Sequence, residues 1–305
     1  MEKEIIDFLT QYWWGVLFIL YLLCIAMKSD TKIVKTYYDS GVFKNKIKSV
    51  IPYKNGEVHG KMITYYPNGN IEIEGDYHKG IQCGTAKLYY ENGNIREYIE
   101  EGIEGKPYNG SCKGYYEDGT LKGEEHYVEG QRTGYAVNYY PNGQMQKEWE
   151  DVLDDKHNNG FFREYYENGQ LKYECFYRNG NMYGNYKAYY ETGILKQKGY
   201  CENGTTVGYS AEYYPNGQIE KEWEDILDTK PNNGFFHAYY ENGQLKTETF
   251  YKNGKREGVQ KEYYETGELE WETPFKDGEE HGIMKRYNKN GEVEATIVYK
   301  NGYKM

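Results

Sequence analysis

The sequence predicts an all-β repeat protein: an elongated, open antiparallel meander of tandem β-hairpins, preceded by one N-terminal transmembrane helix. Three observations predict it. A Tyr-Tyr pair with Gly three residues after its second Tyr is written about eleven times along the chain. The residues after each pair alternate between apolar and polar, the period of a strand with one buried face. The apolar supply is aromatic, with 38 tyrosines and 36 glycines among 305 residues. A phenol brings a large flat ring and a hydroxyl that needs a partner or water, which suits a thin structure better than a thick aliphatic core.

The first element is the apolar segment 12–28, following a short flank at 1–11. Tyr12 to Met27 read YWWGVLFILYLLCIAM without a charge. With Phe8 and Leu9 the stretch approaches the roughly 20 residues that a bilayer crossing requires. Tyr12, Trp13 and Trp14 stand at one edge, where rings favour the headgroup region, and Leu17, Phe18, Leu20 and Leu23 supply the apolar body. Lys28, Lys32 and Lys35 follow the other edge, so the positive-inside rule places the repeats in the cytoplasm. A cleaved signal peptide is the competing reading. The acidic start MEKEIID and the lack of an A-x-A site weigh against it.

A linker over 29–35 leads to the repeats at 36–305. Tyr-Tyr pairs begin at Tyr37, Tyr65, Tyr89, Tyr115, Tyr139, Tyr165, Tyr189, Tyr213, Tyr239 and Tyr263, and a degenerate copy stands at Arg286-Tyr287-Asn288. Most steps are 24 or 26 residues, and the first is 28. In the unit starting at Tyr263, Glu265-Thr266-Gly267-Glu268 reads as a turn whose siblings are ENGQ and PNGN. Asn-Gly is a strong hairpin signal because both residues tolerate positive φ. Leu269, Trp271, Thr273 and Phe275 then alternate with Glu268, Glu270 and Glu272, and Lys276-Asp277-Gly278 makes a second turn. A four-residue first turn sets Tyr264 opposite Leu269, which makes the second Tyr of each pair the inward ring and the first the outward one. About 22 strands at about 4.8 Å each give a twisted meander on the order of 100 Å long.

Two units carry a longer second turn, 151–159 (DVLDDKHNN) and 225–233 (DILDTKPNN), each followed by Gly-Phe-Phe. Both lie in near-copies of one block, YYPNGQMQKEWEDVLDDKHNNGFF and YYPNGQIEKEWEDILDTKPNNGFF. Long acidic loops on one edge of a repeat array are places for partner contact, and equally they are simply wider turns.

The phrases YYENGQLK and YKNGKREG resemble the MORN-repeat variant of bacteria, and in particular the YwqK-family proteins, over roughly residues 36–305. That resemblance implies a MORN-like solenoid. It also implies a non-enzymatic binding role, antitoxin-like or immunity-like. The similar eukaryotic MORN proteins are associated with membrane tethering and scaffolding.

Little in the sequence points to chemistry. A translational repeat spreads identical residues along a line, whereas catalysis gathers different ones in a pocket. No P-loop, GxSxG or HExxH motif is present. Neither a catalytic residue, a metal ligand nor a cofactor is expected. The six His are scattered, with His59 and His281 at equivalent positions. Cys24, Cys83, Cys112, Cys175 and Cys201 form no CxxC pair and read as free thiols. A net charge of −11 argues against nucleic acid or anionic lipid as ligand and favours a basic protein or peptide. The expected function is a membrane-anchored scaffold that holds a protein partner such as a toxin or effector. The candidate contact residues are the first tyrosines Tyr139, Tyr165, Tyr189, Tyr213 and Tyr239 and the turn acids Asp151, Asp154, Asp225 and Asp228. A self-associating scaffold and a lipid or glycan binder remain open as alternatives.

Overall fold

A computed structural model describes residues 30–153 and 156–305. The expected membrane helix and Asp154 lie outside them, and among the described residues no helix is long and apolar enough to cross a membrane. The chain divides into two units, Met1–Gly119 and Thr120–Met305. Within each, successive strands pair antiparallel, and among the described residues every regular element is a strand apart from a short 3-10 turn at Gly41–Phe43. The first strand, Thr31–Tyr37, pairs with Ile47–Lys54 and takes in most of the segment expected as a linker.

The two turns of each repeat have different chemistry. After a Tyr-Tyr pair the loop is three residues long. In the unit at Tyr263, Gly267 N–H donates to Tyr264 O, and Tyr264 N–H donates to Glu268 O, both at 2.8 Å. This is a hairpin loop closed by a glycine at positive φ, +102° at Gly267. Leu269 consequently pairs with Tyr263, not with Tyr264 as a four-residue turn required. The turn Asn is not among the residues with positive φ. In the second turn both central residues are: Asn179 and Gly180 have φ of 49° and 78°, and Asn253 and Gly254 have 49° and 76°. That is the two-residue hairpin turn whose backbone twist matches the twist of its strands.

The wide turn at 225–233 keeps this two-residue geometry. Asp228 and Thr229 have φ of 50° and 67°, and the flanking strands are longer. A third copy, unread in the sequence, stands at Gly102–Tyr108, with Glu104 and Gly105 as its turn pair.

Adjacent repeats are joined at both edges. At one edge, the second Tyr of each pair donates its hydroxyl to the carbonyl of the next repeat's first Tyr: Tyr166 to Tyr189 O at 2.8 Å, Tyr190 to Tyr213 O at 2.7 Å, Tyr214 to Tyr239 O at 2.9 Å. The turn Asn runs a parallel bond, Asn168 Nδ2 to Glu191 O at 2.9 Å, while its Oδ1 accepts from Gln170 N. At the other edge the turn glycine donates backward, Gly204 N–H to Met182 O at 2.9 Å.

The core lies on one sheet face. Cys175, Tyr186 and Cys201 are buried, with Phe162, Tyr173, Tyr177 and Met182 packed against them. Trp149, Phe162, Tyr173 and Tyr186 run across successive strands with ring centroids 5.6, 6.3 and 6.4 Å apart. Such tilted pairs contribute beyond the area that they bury. The inward aromatic ladder thus comes from mid-strand residues. The second tyrosines line the turn edge instead, half-buried, with a lysine over several rings, such as Lys172 over Tyr166 and Lys196 over Tyr190.

Candidate functional site

On the opposite face of Thr120–Met305, one residue per strand falls at a common register. Crossing the strands, the row reads Glu148, Arg163, Glu174, Lys187, Lys198, Ala211, Glu222, His237, Glu248, Lys261, Glu272, Lys285. Acid and base alternate for most of it. Arg163 meets Glu148 at 3.1 Å, Lys187 meets Glu174 at 3.5 Å, and Lys261 meets Glu248 at 3.4 Å. Opposite charges directly across an antiparallel pair stabilise it by a fraction of a kcal/mol each.

Three of the first tyrosines are tied to the row by their hydroxyls. Tyr165 donates to Glu148 at 2.7 Å, Tyr189 to Glu174 at 3.3 Å, and Tyr239 to Glu222 at 2.7 Å. Burial, then the adjacent carboxylate, pushes the Tyr165 phenol up to about 12 and raises Tyr189 and Tyr239 as well. Met1–Gly119 holds an equivalent group, with Tyr89 on Glu74 at 2.9 Å and Lys61 and Lys87 at 3.6 and 3.5 Å. Burial works against ionisation of Glu74, but the Tyr89 hydroxyl and the two ammonium groups outweigh it and hold this carboxyl below its usual range.

The five expected contact tyrosines, Tyr139, Tyr165, Tyr189, Tyr213 and Tyr239, are therefore half-buried, and the Tyr165, Tyr189 and Tyr239 hydroxyls are bonded to carboxylates. More exposed rings stand beside them. Tyr135 and Tyr209 are 46% and 43% exposed, and Phe161 and Phe235, the first Phe after each wide turn, are 38% and 39% exposed. Tyr135 and Tyr209 donate to Glu148 and Glu222 at 3.4 and 2.9 Å. The Arg163 guanidinium sits 4.8 Å over the Phe161 ring. In the sister block the His237 ring stacks on Phe235 at 5.7 Å. Each duplicated block thus builds a Tyr–Glu–Phe cluster of the same plan. The Gly-Tyr and Gly-Phe-Phe phrases were the available signal, but only the register brings them to one glutamate.

The turn acids have internal work. Asp151 Oδ2 accepts from Asn158 Nδ2, and Asp225 Oδ2 accepts from Asn232 Nδ2, each at 3.0 Å. Asn159 and Asn233 then accept from Asn179 N and Asn253 N of the following turns. Asp228 is exposed at the turn tip. Among the described residues no group of three or more His, Cys, Asp or Glu could hold a metal ion. Cys83, Cys112, Cys175 and Cys201 form no disulfide, and burial pushes Cys175 up to about 11. His59 rests against His78, centroids 4.8 Å apart, and His281 Nδ1 lies 3.0 Å from Asn301 Oδ1.

Comparison with known families matches the MORN repeat variant at ten segments, residues 58–79, 82–100, 108–129, 132–150, 159–179, 182–203, 207–224, 238–253, 256–277 and 280–301. This chain belongs to that family. The MORN segments leave out the tips of all three wide turns, and the last gap extends through His237. No curated protein sequence matches the chain. Among solved structures, a TcdB2-TccC3-Cdc42 complex aligns over 89% of this chain and 15% of its own, at 11% identity and TM-score 0.20. A TcdB2-TccC3 structure aligns over 89% and 18%, at 12% and 0.20. The Photorhabdus luminescens Tc holotoxin pore aligns over 90% and 16%, at 12% and 0.19. The MORN chain spans less than a fifth of those chains, and at these scores the alignments carry no argument.

Proposed function

We propose that this MORN-variant chain is a non-enzymatic scaffold, tethered to a membrane by residues 12–28, which holds a basic protein partner against the charged face of Thr120–Met305. The carrying observation is the pair of equivalent clusters in which exposed Tyr135 and Phe161, and exposed Tyr209 and Phe235, flank Glu148 and Glu222. Rigid aromatic rings beside charge are the usual anchors of protein interfaces. The net charge of −11 steers a basic partner toward such a surface. Restraint of a toxin or effector by that grip, as in an antitoxin or immunity protein, is the form that the YwqK-type resemblance favours.

The test places a photo-crosslinker at Tyr209 in the full chain in its native membranes, identifies the trapped protein, and measures its binding to the purified chain. Substituting Tyr135→Ala together with Tyr209→Ala is expected to weaken that binding by about tenfold or more, the loss of an anchor pair. A crosslinker that traps no protein, or a double variant that binds as the wild type does, contradicts the reading. Trapping of lipid, glycan or a second copy of the chain does so as well.

A further inference from the structure

The alternating charge row breaks at one place, and a cleft opens there. Lys187 and Lys198 are direct cross-strand partners, and Ala211 follows where an acid would restore the alternation. Like charges placed opposite one another destabilise a pair of strands. Lys187 has Glu174 at 3.5 Å. The Lys198 ammonium has two rings, Tyr209 at 5.4 Å and Tyr213 at 5.6 Å, and among the described residues no carboxylate reaches it. Between Lys198 and Tyr200 the register shifts. The result is a cleft of about 310 Å³ bounded by Asn185, Lys187, Lys198, Gly199, Tyr200 and Tyr209.

Met1–Gly119 contains the same cleft in its closed form. Glu74 stands nine residues after Tyr65, as Lys198 does after Tyr189. By the same count Lys61, Gly75, Asp76, Thr85 and Lys87 correspond to Asn185, Gly199, Tyr200, Tyr209 and Ala211. That cleft measures about 120 Å³. Its own anion, the Glu74 carboxylate, lies between Lys61 and Lys87 and accepts from Tyr89. In Thr120–Met305 the resident carboxylate is replaced by a cation, its two lysines by Asn185 and Ala211, and the space is more than doubled. A carboxylate from outside would take the place that Glu74 fills, against Lys198 and Lys187, with Tyr209 and Tyr200 as walls for the attached group.

We propose that this cleft is a binding site for a carboxylate ligand, received by the Lys198 and Lys187 ammonium groups between the Tyr200 and Tyr209 rings. The site stands whether or not the aromatic clusters grip a protein. Either a small aromatic acid or the C-terminal carboxylate of a peptide carries this chemistry.

Calorimetric titration of the full chain with benzoate, and separately with an acetylated tripeptide ending in a free carboxylate, tests it. Benzamide and the C-terminally amidated tripeptide are the neutral controls. At least one carboxylate probe is expected to bind, with its neutral counterpart weaker by about tenfold or more, as expected from losing one charge-assisted hydrogen bond. Lys198→Met is expected to weaken binding by a similar factor, and Lys198→Glu to abolish it. Benzoate binding alone identifies a small acid, and peptide binding alone identifies a chain terminus. The proposal is overturned if neither probe binds, if the neutral controls bind equally, or if a folded Lys198→Met chain binds as the wild type does. The acid–amide comparison on the wild type decides the matter should that variant not fold.

Discussion

The two tyrosines of each pair are adjacent in sequence and do different work. The second gives its hydroxyl to a backbone carbonyl of the next repeat, as Tyr166 does to Tyr189 O. In several pairs the first gives its hydroxyl to a glutamate on the opposite face, as Tyr165 does to Glu148 and Tyr89 to Glu74. Ionisation of the phenol would destroy this bond to glutamate. Tyr89 and Tyr165 are pushed up to about 12 from the ordinary 10 by burial and then by their carboxylates. A folded-state value above the unfolded one favours the folded chain while the phenol is protonated. Their contribution is therefore whole below about pH 10 and is lost as pH rises toward about 12. Tyrosinate absorbance should show these phenols ionising late and together with loss of the β-sheet circular dichroism signal. Ionisation complete near pH 10 with the sheet intact would contradict that picture.

At the scale of the hairpin, turn chemistry decides the register, and glycine decides where strands can bend. Gly160 has φ +92°, and a Cβ there would meet Glu150 Cβ at 2.8 Å and its Oε2 at 2.9 Å. That same Glu150 carboxylate accepts from Phe161 N at 2.9 Å, so a side chain would also displace a charge-assisted bond. Gly184 has a similar φ of +84° with nothing within 4 Å of an added Cβ. Gly184→Ala should cost about 1 kcal/mol for the left-handed backbone alone, and Gly160→Ala about 2–3 kcal/mol. Equal midpoint shifts in denaturant unfolding would show that the Glu150 contact carries nothing.

The hairpins themselves were legible in the sequence, because Asn-Gly, Lys-Asp-Gly and period-two alternation are local signals. The loop length after Tyr-Tyr was not legible. Tyr264-Glu265-Thr266-Gly267 fits a three- or a four-residue loop equally well, and that one residue decides whether Tyr263 or Tyr264 faces Leu269. The third wide turn was hidden because Tyr108-Asn109-Gly110-Ser111 follows it, in place of the Asn-Asn-Gly-Phe-Phe phrase that marks its two siblings.

At the scale of the whole molecule, stability should be close to a sum of interfaces between neighbouring repeats. The sequence shows the repetition that makes this so. The charged row and the clusters on Glu148 and Glu222 are spread over residues far apart in the chain, one per strand. Their alignment depends on every intervening register, including the shifts at Gly134 and Gly208, so they could not be read from spacing. The central claim is that consecutive repeats are fastened through the second tyrosines. The most direct measurement is denaturant unfolding of Tyr166→Phe, Tyr190→Phe and Tyr214→Phe, singly and combined. Each change keeps the ring and removes one hydroxyl bond to a carbonyl at 2.8, 2.7 or 2.9 Å. The account predicts a loss of about 1 kcal/mol per substitution and about 3 kcal/mol for the triple variant. A triple variant that unfolds at the wild-type midpoint would contradict it.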